Sequence, residues 1–194
     1  MPGLYILPSC WLLDAGPEDI WAVVASSDMS WPRWWPGCTL EDLSTSSGGP
    51  VPAEAEGPGG DALLLSATAR LQFRAALGYR LAITIRPTRA EFPEIIEFDA
   101  GGDLAGCGRI RLLPGPQEGR TRMLIDWRVT PTRRWMRLLT PVARPAFTAA
   151  HGLLMRRGEK GLRRELQRQA TLRGRPGTQA GEPEPLLCPE RGRN

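Results

Sequence analysis

The sequence predicts an α+β domain in which a curved antiparallel sheet of about six or seven strands is covered by one long C-terminal helix. Three observations predict it. Between Leu63 and Val129, apolar and polar residues alternate in short runs separated by turn residues, the pattern of strands with one dry and one wet face. From Thr140 to Leu172, apolar residues instead recur at the helical period. No other segment is long enough to cover the dry face of such a sheet.

The elements follow in order. Tyr5 to Leu13 alternates loosely and stops at Asp14-Ala-Gly-Pro17, which predicts an edge strand. Pro17 to Val24 reads as a short helix, with proline in the first turn and Glu18 and Asp19 where the helix dipole favours acids. Its Ile20, Trp21, Val23 and Val24 are the residues to bury. Trp31-Pro-Arg-Trp34-Trp35-Pro36-Gly37 carries three tryptophans in five residues, and its two prolines limit it to a helical turn or loop. Thr39 to Leu43 is a predicted strand. Ser44 to Gly60 is Ser, Gly, Pro and Glu with little to bury, which predicts a mobile loop.

Leu63, Leu65, Ala67, Ala69, Leu71 and Phe73 then alternate with polar residues, as do Leu81, Ile83 and Ile85. Ile95 to Phe98 is a short strand leading to a Gly101-Gly-Asp103 turn. Leu104 to Leu113 and Met123 to Val129 complete the sheet, the last placing Trp127 inward and Asp126 on the opposite face. In the final helix, Thr140 is the expected N-cap and Pro141 the first helical residue. Phe147, His151, Leu154, Met155, Gly158, Leu162 and Leu166 share one stripe at 100° per residue. Arg156, Arg157, Lys160, Arg163, Arg164 and Arg168 fan over the other arc. Small Gly158 lets the helix approach the sheet at one end, while larger residues hold it away at the other, so a cavity is expected between them.

Bulk properties narrow the function. The 194 residues, 41% hydrophobic, suit one domain with a tail. The composition after Arg173 collapses to Gly, Pro, Glu and Arg, so residues 173–194 read as a disordered tail and 1–172 as the domain. No apolar run reaches transmembrane length and no secretory signal opens the chain, so a cytoplasmic protein is expected. Four dispersed cysteines and one histidine provide no zinc spacing. No metal or cofactor is expected. GxSxG, HExxH and Walker patterns are absent. The glycines of 102–108 precede a strand rather than a helix, so they read as a turn and a strand kink rather than a phosphate loop. Charge is uneven: between Arg133 and Arg175 lie eleven arginines and Lys160 against two glutamates, a local net of +10 within an overall +4. A solvated helix face explains this most simply. Transient contact with an anionic membrane surface is the functional alternative, and the lack of interleaved aromatics argues against nucleic acid.

Five groups of residues together resemble the SRPBCC (START-like) superfamily, in particular its bacterial polyketide cyclase/dehydrase-type members. They are Pro17-x-x-x-Trp21, the Trp31 to Gly37 block, Gly102-Asp-Leu-x-Gly-x-Gly108, Asp126-Trp127, and His151-x-x-x-Met155-x-x-Gly-x-x-Gly-Leu162. The resemblance spans residues 5–172 and implies a helix-grip fold with a hydrophobic cavity between helix and sheet. It implies binding of lipids, sterols, polyketides, quinones or plant hormones, and in some members aromatic ring closure or dehydration.

The expected function is therefore binding of a hydrophobic or aromatic small molecule, polyketide-, lipid- or quinone-like. Trp34, Trp35, Phe73, Ile83, Ile110, Trp127, Phe147, His151 and Met155 are the expected lining, with arginines at the mouth for a ligand carboxylate. No catalytic set is assigned. His151 is the one candidate acid/base, and a polyketide cyclase or dehydratase built on it is the alternative function. A second alternative is a peripheral membrane or interaction module using the basic helix face. The exposed edge at Tyr5 to Leu13 permits a homodimer, and nothing in the sequence demands more than a monomer.

Overall fold

The computed structural model describes residues 4–45, 60–74 and 79–173, with the backbone alone at 60–61, 135 and 137–144. Its elements are β1 (Tyr5–Leu13), α1 (Pro17–Val24), α2 (Trp31–Trp34), β2 (Cys38–Thr45), α3 (Gly60–Ser66) and β3 (Ala67–Arg74), followed by β4 (Arg80–Glu91), β5 (Ile95–Gly102), β6 (Leu104–Pro114), β7 (Thr121–Pro131) and α4 (Arg134–Arg173). The strands form one seven-stranded sheet in the order β1-β7-β6-β5-β4-β3-β2, antiparallel throughout. β1 and β2 are its edges, and α4 lies across the dry face. The expected α+β architecture of curved sheet and long C-terminal helix is the one observed.

Period-two patterning fixes which face is dry. In β3, Ala67, Ala69, Leu71 and Phe73 are buried while Arg70 and Arg74 are exposed. The wet face is rich in arginine, yet its register sets acids beside the arginines: Glu97 opposite Arg109, and Asp99 opposite Arg86. These pairs close at 2.6 and 2.7 Å, and Arg70 meets Glu41 at 2.9 Å. Exposed pairs of this kind contribute little stability each, but they remove the like-charge repulsion that an all-arginine face would carry.

Several boundaries differ from the sequence reading. Leu63 and Leu65 do not begin a strand: they belong to α3, which turns Leu64 into the core and leaves Leu65 38% exposed. Three consecutive leucines are strong helix formers and carry no strand-specific branching, and Ser66 Oγ closes the helix on the Leu63 carbonyl at 2.8 Å. β4 runs on to Glu91 because Pro87 sits beside a register shift, where a missing N–H is tolerated. Ser44 and Thr45 extend β2, and the remainder of the expected mobile loop, 46–59, lies outside the described residues. The expected tail also lies outside them, apart from Arg173, which ends α4.

The largest difference is the start of α4. Thr140 is not its N-cap; the helix begins at Arg134 and passes through Pro141 and Pro145. A proline inside a helix removes one donor and crowds the carbonyl four residues earlier. Here the two prolines are four residues apart, so both defects fall along one side of the helix. Among the described residues no helix is long and apolar enough to cross a membrane.

The downstream part of α4 is clamped. A Cβ at Gly158 would stand 2.6 Å from the Trp35 ring and 3.0 Å from that of Trp11, and one at Gly161 would overlap the Trp34 carbonyl oxygen. Trp34 and Trp35 stack at 5.4 Å, and Trp35 meets Trp11 and Phe73 edge-on at 5.7 and 5.5 Å. Trp35 Nε1 donates to the Leu154 carbonyl at 3.3 Å. Trp31 Nε1 donates to the Val24 carbonyl at 2.9 Å, which joins α2 to α1. Leu162 is fully buried within this block.

Candidate functional site

Upstream of the clamp the helix leaves the sheet, and a cavity of about 80 Å³ opens there. It lies at one end of the sheet, where β1 and β4 begin and β3 and β7 finish. Phe73, Leu81, Leu104 and Val129 form the sheet wall, and Phe147, Ala150, His151 and Leu154 the helix wall. Both tyrosines of the chain, Tyr5 and Tyr79, also line it, Tyr5 meeting Phe147 edge-on at 6.1 Å. Arg74 at the end of β3 and Arg157 on α4 are the charged residues of the wall, and both are exposed to solvent.

His151 is the polar group on the helix wall. Its Nε2 is buried and has no hydrogen-bond partner among the described residues. Burial lowers its pKa from 6.5 to about 4, because desolvation disfavours the imidazolium. The ring is therefore neutral at pH 7 and presents either an N–H donor or a lone pair. The Tyr79 phenol is pushed up, first by burial and then by the negative charge of Asp103, so it too is neutral.

Asp103 anchors this end of the sheet. It is buried, accepts the Ala82 N–H at 2.9 Å and receives Arg133 Nε at 2.5 Å. Gly102 before it adopts φ +87°, a left-handed turn position that glycine occupies without a Cβ penalty. The turn thus links β4, β5 and β6 to the residue that precedes α4.

The residues expected to line a site divide into three groups. Phe73, Phe147 and His151 meet at the cavity. Trp34, Trp35, Ile110 and Trp127 surround a separate void of about 10 Å³, at most the space of a single water. Trp127 faces inward there, edge-on to Phe98 at 5.0 Å, and Gly108 opposite it leaves the room that the Phe98 ring fills. Ile83 and Met155, each 4% exposed, sit in the packed core. Asp126 lies on the wet face, 3.4 Å from Arg111, and so cannot form a dyad with His151. No Asp or Glu lines the cavity among the described residues, nor is any group of His, Cys, Asp and Glu placed to hold a metal.

The sequence reading missed Tyr5, Leu7, Tyr79, Arg74, Leu104 and Arg157. Tyr5 and Leu7 carried a signal, since they share the inward phase of β1. Arg74 and Arg157 carried none, because each looks like an ordinary solvated arginine until the end of a strand and the flank of a helix meet.

No protein-family model matches the chain, and no curated protein matches it. Solved structures do match. The Zhui aromatase/cyclase from Streptomyces sp. R1128 superposes with a TM-score of 0.62 at 15% identity, over 89% of this chain and 99% of that one. A START superfamily protein from Mycobacterium smegmatis gives 0.58 at 16% identity over 86% and 99%. A conserved protein from Geobacillus kaustophilus gives 0.59 at 13% identity over 85% and 97%. The chain has the SRPBCC-type, START-like fold that these structures share.

Proposed function

We propose that the protein binds a hydrophobic or aromatic small molecule, polyketide-, lipid- or quinone-like, in the cavity between the upstream part of α4 and the sheet. The observation that carries this reading is the apolar cavity itself, with His151 in its helix wall and the buried Nε2 of that residue without a partner among the described residues. A buried polar atom without a partner costs free energy, and a ligand carbonyl or hydroxyl removes that cost while the surrounding rings bury its apolar body. At about 80 Å³ the cavity is smaller than the roughly 300–1,000 Å³ of drug-sized sites. A ligand of several rings therefore enters only as the upstream part of α4 swings outward from its clamped downstream part. Binding ranks above cyclase or dehydratase chemistry because the described walls place no carboxylate with His151 as a second acid/base; the other ionisable groups there are the phenols of Tyr5 and Tyr79 and the guanidinia of Arg74 and Arg157.

Native mass spectrometry of the purified protein, followed by denaturing extraction, tests the reading. A co-purified apolar or aromatic molecule, retained by the wild type and reduced in Phe147→Ala, supports it. A ligand-free mass together with no thermal shift from any polyketide, quinone or fatty acid would overturn it.

A further inference from the structure

We propose that the ligand of this cavity is an amphipathic organic acid, its apolar body among the aromatic walls and its carboxylate held at the rim by Arg74 and Arg157. The inference rests on the binding reading above and adds the charge of the ligand. Arg74 and Arg157 come from opposite walls, β3 and α4, and no acid lines the cavity among the described residues. Among the described residues most other arginines are matched: Arg70, Arg86, Arg109, Arg163 and Arg168, for example, each meet a carboxylate within 3 Å. Among the described residues, neither Arg74 nor Arg157 makes an ion pair of this kind. Arg74 is moreover the register partner of Arg80 across β3 and β4, a like-charge pair that is unfavourable without an anion between or beside it. The five residues joining those strands, Ala-Ala-Leu-Gly-Tyr, carry no acid either.

The chemistry of the wall places the anion at the rim and not at the histidine. His151 is neutral in its buried setting and offers no counter-charge, whereas a guanidinium is always charged and its fork matches a carboxylate. Two exposed guanidinia need little desolvation to accept it. A carboxylate bridging them ties α4 to the end of β3, across the gap where the helix leaves the sheet.

Calorimetric titration with two size-matched probes, 2-naphthoic acid and 2-naphthalenemethanol, tests this at pH 7.5. The wild type is expected to bind the acid about tenfold more tightly than the alcohol, the size of one charge-assisted hydrogen bond, and to lose that margin as salt is raised. Arg74→Gln and Arg157→Gln should each weaken the acid roughly tenfold while leaving the alcohol and the melting temperature unchanged. Arg164→Gln, on the same helix but not in the cavity wall, should change neither probe. Equal affinity for acid and alcohol, or an Arg164→Gln loss as large as that of Arg157→Gln, overturns the proposal but leaves the cavity reading intact. Binding of neither probe overturns both.

Discussion

The two parts of α4 solve opposite problems with the same backbone. Downstream, Gly158 and Gly161 strip the helix of side chains so that Trp34 and Trp35 reach it, and no atom fits between. Upstream, Phe147 and His151 hold the helix off the sheet, and the space they keep is a cavity, with His151 Nε2 buried and without a partner among the described residues. A helix anchored at one end and propped at the other is a fixed lever with a free arm. Stability is concentrated where the glycines are, and adaptability where the large side chains are, because close packing loses energy for every gap while a binding site requires one.

The sharpest way to break the comparison is to truncate one aromatic residue in each region. Trp35→Ala removes a ring that packs against Trp34, Trp11 and Phe73, and is expected to cost about 4 kcal/mol. Phe147→Ala removes a partly buried ring beside an existing cavity, so the new void joins one already present and the expected loss is about 1 kcal/mol. Denaturant unfolding of both variants measures the difference. Equal losses would mean that the upstream region is ordinary core and that no adaptable site exists there.

Glycine positions on the same helix give a second contrast. Gly152 has open space where a Cβ would stand, whereas Gly161 faces the Trp34 carbonyl. Alanine gains about 1 kcal/mol of helix propensity over glycine at either position. Gly152→Ala should therefore raise the melting temperature. At Gly161 the overlap is with backbone, which cannot rotate away, so overpacking of about 3 kcal/mol outweighs the propensity and the net loss is about 2 kcal/mol. If both substitutions stabilise, the clamp is looser than the packing implies.

These contrasts also show what the sequence made legible. The strand faces and the helix stripe follow from periodicity alone, because burial on one face leaves no freedom in the pattern. Gly158 on the apolar stripe was visible as a point of close approach for the same reason. Thr140-Pro141 misled because proline at a helix start and proline tolerated inside a helix look alike in sequence. Leu63 to Leu65 misled because a contiguous apolar run fits both periods. Within the site, His151 and Phe147 stood out from the helix phase, but the division of the aromatic residues between cavity and clamp did not. Trp35 and Phe73 are equally apolar; only the tilt of α4 decides which of them meets empty space.

The smallest expected effect is also the most specific to the upstream region. With its pKa near 4 in the fold against 6.5 for a free histidine, His151 stays neutral where the unfolded chain takes up a proton. Between pH 6.5 and about 4 the unfolded state thus binds more protons, and stability falls as pH falls. The contribution is fully present above pH 6.5, is lost through that window and is constant below it. Because the cavity opens to solvent, the loss is expected to be about 1 kcal/mol over the window rather than the full equivalent of the shift. Aspartates and glutamates titrate in the same range, so the difference between wild type and His151→Phe isolates the imidazole. That variant should flatten the acid limb of the stability curve and weaken a carbonyl-bearing ligand, leaving the Trp35 clamp untouched. Identical pH profiles for the two proteins would mean that water already reaches Nε2, and the reason for a ligand to bind there would be gone.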